Sequence, residues 1–225
     1  IGNLSKYVVF NSQIAYHNLG KYIFRSNTKV IKNLLIEPQE SIDKQTEKKI
    51  LNSKSKYNIV SVGRLDKLKN YQKSIHLFNK LIERGLEASY FIFGSGDELS
   101  NLKLLVKELK IQERVIFMGR IIEPQLYFQN FDLLLQTSMH ESFPNSIVEA
   151  LNENLFVVST DVGDIKFLLK DNRGLLLESN HEDVIFNNII SYLRFGIQNK
   201  TDSKEFIKNF LNNQETVSNW IKLID

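Results

Sequence analysis

Three segments of the chain place residues able to do chemistry where a strand-like run gives way to a helical pattern. The richest reads Ser138-Met139-His140-Glu141-Ser142-Phe143-Pro144-Asn145-Ser146-Ile147-Val148-Glu149-Ala150-Leu151. Pro144 suits the first turn of a helix, where its missing N–H is not needed, and predicts a helix over residues 144–152. Glu141 then sits in the loop ahead of that helix, and Glu149 about one and a half turns inside it. A diphosphate at such a helix N-terminus would be held by backbone N–H groups and the helix dipole. The two carboxylates would flank it and accept hydrogen bonds from sugar hydroxyls. A plainer reading stays open at this point: Glu141 favours the helix dipole, and Glu149 is a solvated helix residue.

The second segment, Gly63-Arg64-Leu65-Asp66-Lys67-Leu68-Lys69-Asn70, sets one arginine and two lysines on a glycine turn ahead of a helix. A guanidinium grips phosphate oxygens through parallel donors, and a lysine adds a point charge, so the loop suits an anion. Basic loop residues are also commonly solvated surface. The third segment, Phe93-Gly94-Ser95-Gly96-Asp97-Glu98, again runs from a strand into a helix. Its glycines let backbone approach a ligand, and a simple tight turn explains them equally well.

The elements that must position these loops alternate along the chain. Strand-like runs are Tyr7-Val8-Val9-Phe10, Lys29-Val30-Ile31, Asn58-Ile59-Val60-Ser61-Val62, Ser89-Tyr90-Phe91-Ile92-Phe93 and Val115-Ile116-Phe117. Leu133-Leu134-Leu135, Phe156-Val157-Val158-Ser159 and Gly174-Leu175-Leu176-Leu177 follow. Several are apolar at consecutive positions, as strands covered on both faces are. Between them, Ile75, Phe78, Leu81 and Ile82, then Leu102, Leu105, Val106 and Leu109, recur at helical spacing. This alternation predicts an α/β fold built on a doubly wound parallel sheet. Residues 37–56 break the rhythm: they are polar and lysine-rich, and read as a linker or surface excursion, partly helical. The tail is helical, with Phe206, Phe210, Val217, Trp220, Ile221 and Ile224 on an apolar face suited to docking.

Bulk composition removes several classes of function. Across 225 residues, 29 basic side chains against 26 acidic ones leave a net charge of +3, with no clustered basic stripe for nucleic acid. Without cysteine there are no disulfides, thiolate nucleophiles or cysteine-bound metals. His17, His76, His140 and His181 are scattered and show no paired ligand spacing. No apolar run reaches the roughly 20 residues that span a bilayer, and no signal peptide is visible. The expectation is a soluble, cytoplasmic protein of a reducing compartment. The opening Ile1-Gly2-Asn3 lacks Met, which suggests a fragment or processed product.

Taken together, the three loops resemble the donor-binding domain of glycosyltransferase family 4, a family of retaining enzymes with the two-domain GT-B architecture. The resemblance rests on Gly63-Arg64-Leu65 with Lys69, Gly94-Ser95-Gly96, Val115-Ile116-Phe117-Met118-Gly119, and the block from Glu141 through Ala150. It covers roughly residues 57–180 and reaches upstream to Tyr7-Val8-Val9-Phe10-Asn11-Ser12 and Val30-Ile31-Lys32-Asn33. Those two runs look like the last strands of the family's acceptor domain, most of which this chain lacks.

The resemblance implies a Rossmann-like donor domain at residues 57–205. Residues 1–36 would close the acceptor domain, residues 37–56 would form a linker, and residues 206–225 a helical tail that braces the acceptor side. It implies that Arg64 and Lys69 neutralise the donor diphosphate and, with Glu141, form the catalytic set; Lys67 is a rival for the lysine role. Glu149 would bind ribose hydroxyls, and Glu141 the transferred sugar. Backbone of Phe143, Pro144, Asn145 and Ser146 would line the pocket, backbone near Arg120 would lie beside the base, and Gly63 and Gly94 complete the donor-binding set. No metal or other cofactor is implied.

The implied function is hexosyl transfer from a nucleotide-diphosphate sugar, a uridine diphosphate conjugate foremost, to a glycan or lipid-linked acceptor. The setting is bacterial capsule, lipopolysaccharide or other glycan assembly, with the missing domain touching the inner face of the membrane. The isolated chain is expected to be inactive. Alternatives are a nucleotide-sugar-binding module without turnover and a GT-B-type nucleotide-sugar epimerase. Departures from the family pattern fall at Asn152-Glu153-Asn154-Leu155-Phe156, Asp164-Ile165-Lys166-Phe167 and Asn33-Leu34.

Overall fold

The computed structural model describes residues 7–19, 27–177, 182–196 and 202–224. Residues 1–3 and His181, both considered above, lie outside the described residues, as does the side chain of Ile224.

Consecutive apolar residues build the central sheet because each strand faces a core on both sides. In strand β3 (Tyr57–Val62) Ile59 points to one core and Val60 to the other; in β4 (Ala88–Phe93) Tyr90 and Ile92 oppose Phe91 and Phe93. Strands β5 (Val115–Gly119), β6 (Leu133–Gln136), β7 (Phe156–Ser159) and β8 (Gly174–Leu176) complete a sheet of order β5-β4-β3-β6-β7-β8, every described pair parallel. One face is covered by helices α3 (Tyr71–Glu83), α4 (Leu99–Glu108) and α7 (Glu182–Phe195), through Phe78, Leu81, Leu102, Val106, Phe186 and Ile189. The other is covered by α2 (Lys44–Asn52), α5 (Asn145–Asn152), α6 (Ile165–Leu168) and α8 (Ser203–Phe210), through Ile50, Ile147, Leu151, Leu168 and Ile207. This is the doubly wound, Rossmann-like order, and its direction reverses between β3 and β6. Ligands of such sheets bind in the crevice beyond the carboxyl ends of the strands at that reversal.

A second unit precedes the sheet. Strands β1 (Val8–Phe10) and β2 (Thr28–Val30) pair in parallel, with helix α1 (Gln13–Leu19) after β1. Polar contacts among the described residues seat this unit on the main domain. The Asp164 carboxylate accepts the N–H groups of Gln13 (3.3 Å) and Ile14 (3.2 Å), capping α1 across 150 residues of sequence. Lys32 donates to the Phe210 carbonyl (2.8 Å) and lies over its ring, and Asn33 donates to the Asn145 side chain (2.9 Å).

Residues 37–56 are less of a surface excursion than their polarity suggested. Helix α2 lies within them and buries Ile50 completely, and the Glu123 carboxylate accepts the Gln39 and Glu40 N–H groups (2.9 and 2.7 Å). One buried apolar position, with Leu51 beside it exposed, on an otherwise polar helix is too little for a periodicity argument to detect. The tail divides in two. Helix α8 packs on α5, and the expected boundary at residues 205 and 206 falls inside it. On α9 (Asn213–Ile224), Val217, Trp220 and Ile221 are exposed.

Candidate functional site

The carboxyl ends of β3 and β6 carry the two polar loops, and hydrogen bonds lock them to each other and tie the 63–70 loop to the loop after β4. Leu65 N–H reaches the Ser95 carbonyl (3.0 Å), Met139 N–H reaches Leu68 (2.8 Å), and the Thr137 hydroxyl donates to Asn70 (2.8 Å). Gly94 is needed for this assembly: a Cβ there would lie 1.9 Å from the Gly63 carbonyl oxygen. The close backbone approach foreseen at this glycine is therefore made to the neighbouring 63–70 loop. Gly163, at φ +59°, serves the other side, since a Cβ would meet the Glu141 carbonyl at 2.6 Å.

Within the 63–70 loop, Asp66 organises the cations. Its carboxylate accepts the Lys69 N–H (3.0 Å), capping a short 3-10 turn at Lys67–Lys69, and pairs with Arg64 (3.2 Å). This turn separates the two lysines. Lys67 is exposed, whereas Lys69 reaches across to Glu141, Nζ to Oε1, at 2.6 Å. Glu141 is nearly buried, with 9% of its side chain accessible. Of the two rivals, the geometry brings Lys69 and not Lys67 to the glutamate. Arg64 remains 80% exposed and reaches neither.

Glu141 has a second donor. Gln136, the last residue of β6, gives it an amide hydrogen (Nε2 to Oε1, 3.0 Å) and accepts one from the Ser146 hydroxyl (2.8 Å). Sequence reasoning passed over Gln136 and Asp66. A signal was present for each: a polar side chain closing the apolar run Leu133-Leu134-Leu135, and an aspartate three residues before the turn's last lysine.

Helix α5 begins one residue later than foreseen, with Pro144 as its cap. The N–H groups of Asn145, Ile147 and Val148 are already taken by the carbonyls of Phe143 and Pro144. Among the described hydrogen bonds, only Ser146 N–H of the first turn lacks a backbone acceptor, so the helix end offers fewer donors than a bare N-terminus would.

Glu149 lies elsewhere. With Phe143, Asn145 and Ser142 it lines a cleft of about 990 Å³ between the main domain and the β1–α1–β2 unit, opposite Phe10, Lys32 and Asn33. Burial pushes its carboxyl up to about 7. Lys69 and Gln136 instead border a small recess of about 10 Å³ with Tyr71 and Ser138. Arg120 is exposed just past β5. Among the described residues, no group of three or more His, Asp or Glu could hold a metal ion, and no helix is long and apolar enough to cross a membrane.

Residues 43–210 match the family model described as glycosyl transferases group 1. The chain belongs to this family. Among curated family relatives, an uncharacterized glycosyltransferase of Methanocaldococcus jannaschii is 28% identical over 206 residues, covering 89% of this chain and 48% of its own length. The poly(glycerol-phosphate) alpha-glucosyltransferase of Bacillus subtilis is 30% identical over 157 residues, 68% of this chain and 23% of that protein. The chain thus spans less than half the length of these relatives. Solved structures agree on the fold. Staphylococcus aureus TarM, determined with UDP bound, superposes with a TM-score of 0.83 at 17% identity, over all of this chain and 45% of that one. Anabaena HepE in complex with UDP-glucose gives 0.82 at 18% identity, over 98% of this chain and 65% of that one.

Proposed function

We propose that this chain is the donor-binding half of a retaining GT-B glycosyltransferase of the family 4 type, which transfers a hexose from a UDP-sugar without a metal ion. The observation that carries the reading is the junction of Lys69 and Glu141 at the strand-order reversal, beside the start of α5. A cation and a hydroxyl-accepting carboxylate meet there, where a sheet of this order receives its ligand. UDP in the related folds TarM and HepE supports a uridine nucleotide.

In this reading, Lys69 has two protons left for phosphate oxygens after serving Glu141. Arg64, exposed and tethered by Asp66 alone among the described residues, swings toward the diphosphate, and Ser146 N–H adds a dipole. These charges act most strongly when the anomeric C–O bond breaks and negative charge gathers on the departing diphosphate. Glu141 receives the sugar hydroxyls, Glu149 the ribose hydroxyls, and backbone of Phe143, Pro144 and Asn145 walls the sugar. The acceptor, a glycan or lipid-linked glycan of a bacterial surface polymer, enters from an acceptor domain opposite the cleft, at the cytoplasmic face of the membrane.

Titration calorimetry of UDP and UDP-glucose, with and without a chelator, tests the reading. Binding of both ligands that survives chelation is expected. Loss of binding on chelation overturns the metal-free reading, and failure of either ligand to bind overturns the donor site.

A further inference from the structure

Resting on the donor-site reading, we infer that Gln136 is a positioning residue that fixes which oxygen of Glu141 faces the sugar. The hydrogen-bond chain has only one consistent direction. A carboxylate only accepts, so the Gln136 amide nitrogen must face Glu141; its carbonyl oxygen then faces Ser146, whose hydroxyl must donate. Both described donors to Glu141, Lys69 Nζ and Gln136 Nε2, converge on the same oxygen, Oε1. Oε2 is thereby left as the acceptor for a ligand hydroxyl, and the carboxyl plane is held from two directions.

The placement makes this a costly arrangement to keep for structure alone. Gln136 is 6% exposed at the end of an otherwise apolar strand. A buried amide there is stable only while both its ends are satisfied. The same amide links β6 to Glu141 and to the first turn of α5, so it sets the sugar-binding carboxylate and the phosphate-facing helix end relative to each other.

Gln136→Met keeps the length and removes both bonds. Its affinity for UDP-glucose should fall about tenfold further than its affinity for UDP, the loss expected for one hydrogen bond to a charged group. Gln136→Glu guards against misfolding as the cause. Protonated, the new carboxyl donates to Glu141 and accepts from Ser146 as the amide does; ionised, it repels Glu141. The charged and titratable neighbours are Lys69 and Tyr71 beside the pair, Asp66 capping the Lys69 turn, exposed His140, and on α5 Glu149, which faces the cleft. On the Gly163 loop, Asp161 pairs with Lys166 and Asp164 caps α1. All are shared with the unmodified protein, which serves as the control. The preference for UDP-glucose over UDP in Gln136→Glu should therefore rise as the pH falls from 8 to 5.5, relative to that control. Calorimetry of both ligands reads each effect. An unchanged preference in Gln136→Met, or a Gln136→Glu profile parallel to the control, overturns the inference while UDP binding by the unmodified protein upholds the donor site. Failure of the unmodified protein to bind UDP overturns both.

Discussion

Glu141 and Glu149 belong to one loop-helix unit, yet the fold gives them opposite surroundings. Glu141 is nearly buried and holds an ammonium and an amide on one oxygen. Glu149 faces the large cleft, and desolvation raises its carboxyl to about 7. The contrast shows that a carboxylate's behaviour follows from the donors supplied to it. Glu141 is matched within the protein, whereas no side-chain or backbone donor to the Glu149 carboxylate is found among the described residues.

The largest expected effect breaks the matched side. On the proposed reading, in a protein that also carries an acceptor domain, Lys69→Ala should lower turnover on the order of a hundredfold or more, as loss of one stabiliser of developing charge does. Lys67→Ala should cost far less. Steady-state kinetics decide it, and equal losses in the two variants would return Lys67 to the site.

The next effect concerns stability at the unmatched side. A carboxyl raised from 4.5 to about 7 holds its proton more tightly in the folded state than in the unfolded chain. That contribution is complete below about pH 4.5 and is lost as the pH rises to about 7. It amounts to at most about 3 kcal/mol. Glu149→Gln should therefore be more stable than the unmodified protein above pH 7, with the gap closing toward pH 4.5. Parallel denaturation curves across this window would place Glu149 in water.

A smaller effect links that titration to the ligand. If ribose hydroxyls donate to ionised Glu149, UDP binding near pH 6 should release a proton, and affinity should grow severalfold between pH 6 and 8. Calorimetry in buffers of different ionisation enthalpy measures the release. Binding without proton release would remove the ribose contact from Glu149.

The smallest effect tests the seam that shapes the cleft. Asp164→Ala removes the acceptor of the Gln13 and Ile14 N–H groups, leaves the Ser12 hydroxyl on the Ala15 N–H, and should cost about 1 kcal/mol, the usual worth of a helix cap. It should also raise hydrogen exchange at Gln13 and Ile14. Unaltered exchange would mean that other contacts hold the unit in place.

Much of this molecule was legible in its sequence. Apolar runs such as Leu133-Leu134-Leu135 and Tyr90-Phe91-Ile92-Phe93 declared strands covered on both faces, because no other setting buries consecutive residues of a strand. The alternation with helical spacing then gave the parallel α/β sheet. The order of the loops and the frame from Glu141 to Ala150 marked the candidate site and a glycosyltransferase domain. Local chemistry could reach that far, since strand burial, turns and helix starts are written in neighbouring residues. What remained was decided by contacts between distant ones. That Lys69 meets Glu141 and Lys67 does not depends on a 3-10 turn docked across 72 residues of sequence. Gln136 acquires its part only when β6, the Glu141 loop and α5 converge, and Glu149 acquires its shifted carboxyl only when the cleft excludes water from it. Pairing and desolvation are properties of position in space, so only the tertiary structure could assign them.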